Sequence, residues 1–231
     1  MRRALGTRDG RLVFIIGGAL ITVSALGGLV GAVALYATVR SLSTGGPIGG
    51  GEGSLFADAL LRGMFAAAVV LFAVGIRGEG SVVGRRPVGT IALIATAVAW
   101  MVPILPSALP AESSLVWFAV GQWGVVVAGT VAAVEVIRLR AVRGWTRFLP
   151  LALVVAQLAL QLSMLVILTA PLDSWSRLGW AAMLGLFGYP AVTLITLAIG
   201  ICALVAGLRA RPSDEVSSEF TEDRGRATPA G

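Results

Sequence analysis

The sequence predicts an all-α fold: a polytopic bundle of six transmembrane helices with both termini in the cytoplasm. Three observations carry that expectation. The chain has 231 residues, of which 57% are hydrophobic and only 13% charged, and its mean hydropathy of +0.90 lies outside the usual range of soluble domains. It divides into six long apolar stretches, at about 12–39, 55–76, 88–105, 115–137, 149–170 and 178–208, close to the roughly 20 residues that a bilayer-crossing helix needs. Finally, its eighteen basic residues are all arginine, and fifteen of them fall at alternate connections and the two termini. The opposite ends hold only Arg40, Arg62 and Arg177. That bias marks the connections retained in the cytoplasm.

Six spans use most of the chain and leave no room for a folded soluble domain. The net charge of +6 is therefore read as attraction to anionic lipids of the cytoplasmic leaflet, not as a nucleic-acid footprint. The absence of lysine points to a GC-rich bacterial genome by codon usage, and so to the inner (plasma) membrane. Histidine is absent and Cys202 is the one cysteine. His-ligated haem, imidazole zinc sites and Ser-His or Cys-His nucleophiles are thereby excluded, as is an internal disulfide. No cofactor is expected.

The N-terminal segment 1–11 carries Arg2, Arg3, Arg8 and Arg11 ahead of the first apolar run. That run is far longer than the roughly 7–15 apolar residues of a secretory signal, which predicts an uncleaved first helix. The Gly-Pro cluster Gly45 to Gly51 reads as an outer loop. The second span contains Asp58 and Arg62 at i, i+4, which predicts an ion pair at the outer interface with Arg62 reaching outward to the headgroups. A polar cavity entrance is the alternative. Pro87 suits the start of the third helix, and Ser113 or Ser114 can cap the fourth. The most basic loop follows, with Arg138, Arg140, Arg143 and Arg147 placed to meet anionic lipids. Pro190 predicts a kink or break in the sixth span. Trp100, Trp117, Trp175 and Trp180 are expected in an outer aromatic belt. Residues 209–231 read as a disordered cytoplasmic tail, polar and mixed in charge.

Small residues let membrane helices approach closely. Stripes of them run along the first helix (Gly17, Ser24, Gly28, Gly31, with Gly27 beside them), the fourth (Gly121, Gly124, Ala128, Ala132 and Glu135, with Gln122, Gly129 and Ala133 on the flank) and the sixth (Thr193, Thr196, Gly200, Ala203, Gly207). These three helices are expected to form the tight centre, with a second protein as an alternative occupant of a stripe.

Few polar residues lie within the spans. Gln161 falls about 18 Å from the inner boundary and Gln122 about 12 Å from the outer one, at 1.5 Å rise per residue. Those depths coincide in a hydrocarbon core of about 30 Å. A hydrogen-bonded cluster of Gln122, Gln157 and Gln161 between the fourth and fifth helices is therefore predicted, as structural glue or as a ligand site. Glu135 reads either as a local partner of Arg138 at i+3 or as an interior carboxylate able to take a cation or proton. No constellation resembles an active site. The expectation is a non-enzymatic accessory or scaffold subunit with a helix-packing partner. The alternative is a transporter or permease-like subunit with a polar path near the fourth and fifth helices.

Overall fold

The computed structural model describes residues 8–43, 52–76, 81–83, 86–104, 111–139, 144–171 and 173–209. The glycine-rich loop, Arg140, Arg143 and the C-terminal tail lie outside them. The elements are α1 (Arg8–Ser43), α2 (Glu52–Val74), α3 (Pro87–Met101), α4 (Ala111–Arg138), α5 (Leu149–Thr169) and α6 (Ser174–Arg209), with a short 3₁₀ turn (Gly144–Phe148) before α5. No strand occurs among the described residues. All six helices are long and apolar enough to cross a bilayer, and large apolar side chains such as Val30, Val33, Ile91 and Val127 cover the outer surface. This is a multi-pass membrane protein.

Each helix packs against its chain neighbours, and α1 closes the circuit by packing against α6. The result is a ring of six alternating helices. Alternation is visible pair by pair: Gly17 of α1 abuts Phe72 of α2 while Gly27 abuts Leu61, and along α4 Gly124 abuts Ala99 of α3 while Gly129 reaches Thr96. One end of the ring gathers Arg11, Arg86, Arg138, Arg147 and Arg209, and is called here the basic end; the other is the far end.

The α1–α6 seam is the most extensive, and glycine makes it possible. A Cβ on Gly18 would lie 2.5 Å from the Leu204 backbone nitrogen, and one on Gly200 would lie 2.6 Å from Thr22 Oγ1. Arg11 Nε donates to the Gly207 carbonyl at 3.3 Å, so a cation from α1 caps the last turn of α6. The α1–α2 seam uses the adjacent face of α1, where Ser24 Oγ donates to the Leu61 carbonyl at 2.8 Å. Two α1 faces, one step apart, thus serve two neighbours. α2 ends at Gly75, whose φ of 73° is the left-handed conformation that closes helices at low steric cost. Ser81 Oγ then donates to the Ala73 carbonyl at 2.7 Å.

Four expectations are corrected. Of the kink or break expected at Pro190, the break does not occur, since α6 is one helix through Pro190: proline removes one backbone donor, and in a packed membrane helix neighbouring groups absorb that loss. The three glycine-bearing helices do not share a centre, because α4 packs against α3 and α5, across the ring from the α1–α6 seam. The α1 glycine that comes closest to α6 is Gly18, outside the expected stripe. α4 begins at Ala111, so Ser113 and Ser114 lie inside its first turn and do not precede it.

Candidate functional site

The interior faces of the ring divide into two tiers. Toward the basic end, Phe14 of α1, Val69 of α2, Thr96 of α3, Ala133 of α4, Val154 of α5 and Cys202 of α6 line a half-open apolar chamber of about 180 Å³. Hydroxyls nearby are turned back onto their own helices: Thr96 Oγ1 donates to the Ala92 carbonyl at 2.8 Å, Thr196 Oγ1 to Val192 at 2.9 Å and Thr22 Oγ1 to Gly18 at 2.8 Å. Their methyl groups, not their donors, are left for packing.

Continuing each interior stripe toward the far end at helical spacing leads to a polar or aromatic group on five helices. These are Arg62 above Phe65 and Val69, Trp100 above Thr96, Gln122 below Gly129 in sequence, Gln157 and Gln161 beyond Val154, and Tyr189 before Thr196. The structure brings the three glutamines together. Gln157 Nε2 donates to Gln122 Oε1 at 2.6 Å, and Gln161 Nε2 donates to the same oxygen at 2.9 Å. Gln122 and Gln157 are buried. One carbonyl from α4 thereby uses both lone pairs on donors one turn apart on α5, and fixes the register of the two helices. Such bonds average about 0.6 kcal/mol in membranes.

Nearer the far end, Arg62 Nε donates to Asp58 Oδ2 at 2.7 Å. The expected outward reach of Arg62 is not what the structure has. Its side chain is 22% exposed against 57% for Asp58, and its guanidinium carbon stands 5.6 Å from the centroid of the Trp100 ring. Trp100 in turn packs on Phe65 with centroids 4.9 Å apart. Tyr189 of α6, on the stripe of Thr196, is itself exposed. Arg62 therefore points into the ring, held by Asp58 and the indole face. Trp100 is correspondingly no belt residue: its indole nitrogen is buried and has no hydrogen-bond partner. Trp117 and Trp180 are exposed on the outer surface, and the Trp175 side chain lies outside the described residues.

Glu135 belongs to neither tier. It is not among the residues that line the chamber, and at helical spacing it falls on the α4 face of Gly121 and Gly124, which pack against Ala99 of α3. Arg138 Nη1 approaches Glu135 Oε1 at 3.7 Å, a long contact, while Glu135 Oε2 is buried with no hydrogen-bond partner. Arg138 is 70% exposed at the basic end. Arg147 stacks its guanidinium 4.7 Å from the Phe148 centroid. Among the described residues no group of three acidic or cysteine side chains is placed to hold a metal ion.

The position of Arg62 and Trp100 escaped sequence reasoning, although a signal existed. Arg62 recurs with Phe65, Val69 and Phe72 at spacings of three and four, which marks the packed face of α2. No protein-family model, no curated protein and no solved structure matches this chain.

Proposed function

We propose that this protein is a non-enzymatic accessory or scaffold subunit of a bacterial plasma membrane, with both termini in the cytoplasm. The carrying observation is a groove on the lipid-facing side of α3 and α4, lined by Ile91, Ile94, Ala95, Val98, Val120 and Gly124. Small residues on its floor suit close approach by a transmembrane helix of a partner protein, since packing is what drives helix association in lipid. The ring interior supports the same reading: its glutamine amides bond to one another and its hydroxyls to their own helices, which suits a rigid body more than a solute path. The arginines of the basic end, Arg138 and Arg147 together with Arg140 and Arg143, are suited to anionic headgroups of the cytoplasmic leaflet.

The test is assembly size. In membranes of the native host solubilised with a mild detergent, the wild-type chain is expected to migrate as a complex larger than the monomer, and Ala95→Trp as a monomer of unchanged thermal stability. A wild-type chain that runs alone overturns the scaffold reading. A transporter or permease-like subunit is the second reading, favoured by the tier of Arg62 and the glutamines. Solute flux in intact cells that collapses in Gln161→Leu, with folding retained, would favour it.

A further inference from the structure

The apolar chamber is unused by either reading. Its walls come from all six helices, so it is a property of the closed ring and not of one seam. In α1 and α5, which enter at the basic end, its lining residues come from the first part of the element, as with Phe14 and Val154, while α3 contributes Leu93 and Thr96 from its middle. In the helices that leave there, the lining residues come from the last part, as with Val69, Ala133 and Cys202. The chamber therefore lies at the depth of the basic-end leaflet. Just beyond it toward the far end stands the glutamine cluster, with Gln157 one turn past Val154.

Water is a poor occupant. A buried water needs two to four polar partners, and the hydroxyl of Thr96 is already committed to Ala92. A cavity of about 150 Å³ with comparable aliphatic and aromatic walls stays dry and takes benzene; at about 180 Å³ this chamber holds roughly a six-carbon unit on that scale. Polar solutes arriving from the far side meet the glutamines first. Within a bilayer, the abundant molecule of matching chemistry is hydrocarbon.

We propose that the chamber is a binding site for a hydrocarbon segment, an acyl or isoprenoid chain drawn from the basic-end leaflet and held by dispersion contacts with all six helices. The occupied ring is then the working form of the protein, and the site recognises chain thickness and not headgroup charge. This assignment stands independently of the scaffold and transport readings.

Cys202, the one cysteine in the chain, lines the chamber and reports its occupancy. The full chain is purified in digitonin, which has no acyl chain, and the rate of Cys202 modification by methyl methanethiosulfonate is measured. Two hydrocarbon sources are then compared: n-decane added to the digitonin sample, and phospholipid nanodiscs without decane. The expected result is at least tenfold slower modification with one or both sources. Protection by nanodiscs alone identifies a lipid acyl chain as the occupant, and protection by decane identifies a free chain as sufficient. Ala133→Phe fills the chamber and is expected to slow modification in digitonin alone and to remove the response to hydrocarbon; Ala206→Phe serves the same purpose should Ala133→Phe not fold. A wild-type rate changed less than twofold by both sources overturns the proposal.

Discussion

Gln122 shows how one side chain sets a register. Its carbonyl accepts from Gln157 at 2.6 Å and from Gln161 at 2.9 Å, so the three amides are not equivalent. Gln122→Leu strands two donors in hydrocarbon, while Gln161→Leu removes one bond and leaves the other. With interhelical bonds worth about 0.6 and at most about 1.7 kcal/mol, Gln122→Leu is expected to cost about 1–2 kcal/mol and Gln161→Leu about 0.5. A double-mutant cycle read by reversible unfolding in mixed micelles checks this; equal costs for the two single variants would show that Gln122 is not the hub. This cluster was legible because depth along two antiparallel helices is simple arithmetic once the spans are known. Arg62 was not, since snorkelling outward and folding inward over Trp100 are both open to a long side chain. The choice depended on Trp100, which arrives from a different helix at 5.6 Å.

Among the elements, the α1–α6 seam depends on the absence of side chains. A methyl group on Gly18 meets backbone, the Leu204 nitrogen at 2.5 Å, and backbone of a packed helix cannot swing aside as a side-chain tip can. Gly18→Ala is expected to destabilise the protein by about 1–3 kcal/mol, the ordinary cost of overpacking. Gly31 has nothing within 4 Å of a built Cβ, so Gly31→Ala is expected to be neutral or to stabilise by up to about 1 kcal/mol through helix propensity. Thermal unfolding of both variants side by side separates contact from propensity; a loss at Gly31 as large as at Gly18 would contradict the seam. The glycine periodicity itself was plain in the sequence. Which of two neighbouring glycine rows faces which helix was not, because Gly17 and Gly18 differ by one residue and about a quarter turn.

At the level of the whole molecule, closure of the ring within one chain is the feature that needs direct proof. A Cβ on Gly207 would stand 3.1 Å from the Phe14 Cβ and 3.0 Å from the Ile15 backbone nitrogen, so α1 and α6 need to ease apart by a few tenths of an ångström to reach the roughly 3.5–4.5 Å that a disulfide spans. Phe14→Cys with Gly207→Cys, in a Cys202→Ala background, is expected to cross-link on mild oxidation within a single chain. The product then runs as a monomer of altered mobility on denaturing gels. A covalent dimer would mean that α1 seats against α6 of a second copy. Closure also bears on Glu135: in a ring each helix divides its circumference among two seams, the chamber and the lipid, and Glu135 is not among the chamber's lining residues.

Six crossings, their limits and the clustering of arginine at one end were all readable along the chain, because hydrophobic length and loop charge are one-dimensional properties that a bilayer converts directly into topology. The order of helices around the ring, the inward turn of Arg62, the passage of α6 through Pro190 and the chamber itself were decided by tertiary packing. Lipid is as apolar as the helix interior, so hydrophobicity does not say which apolar face turns inward; steric fit between particular neighbours does.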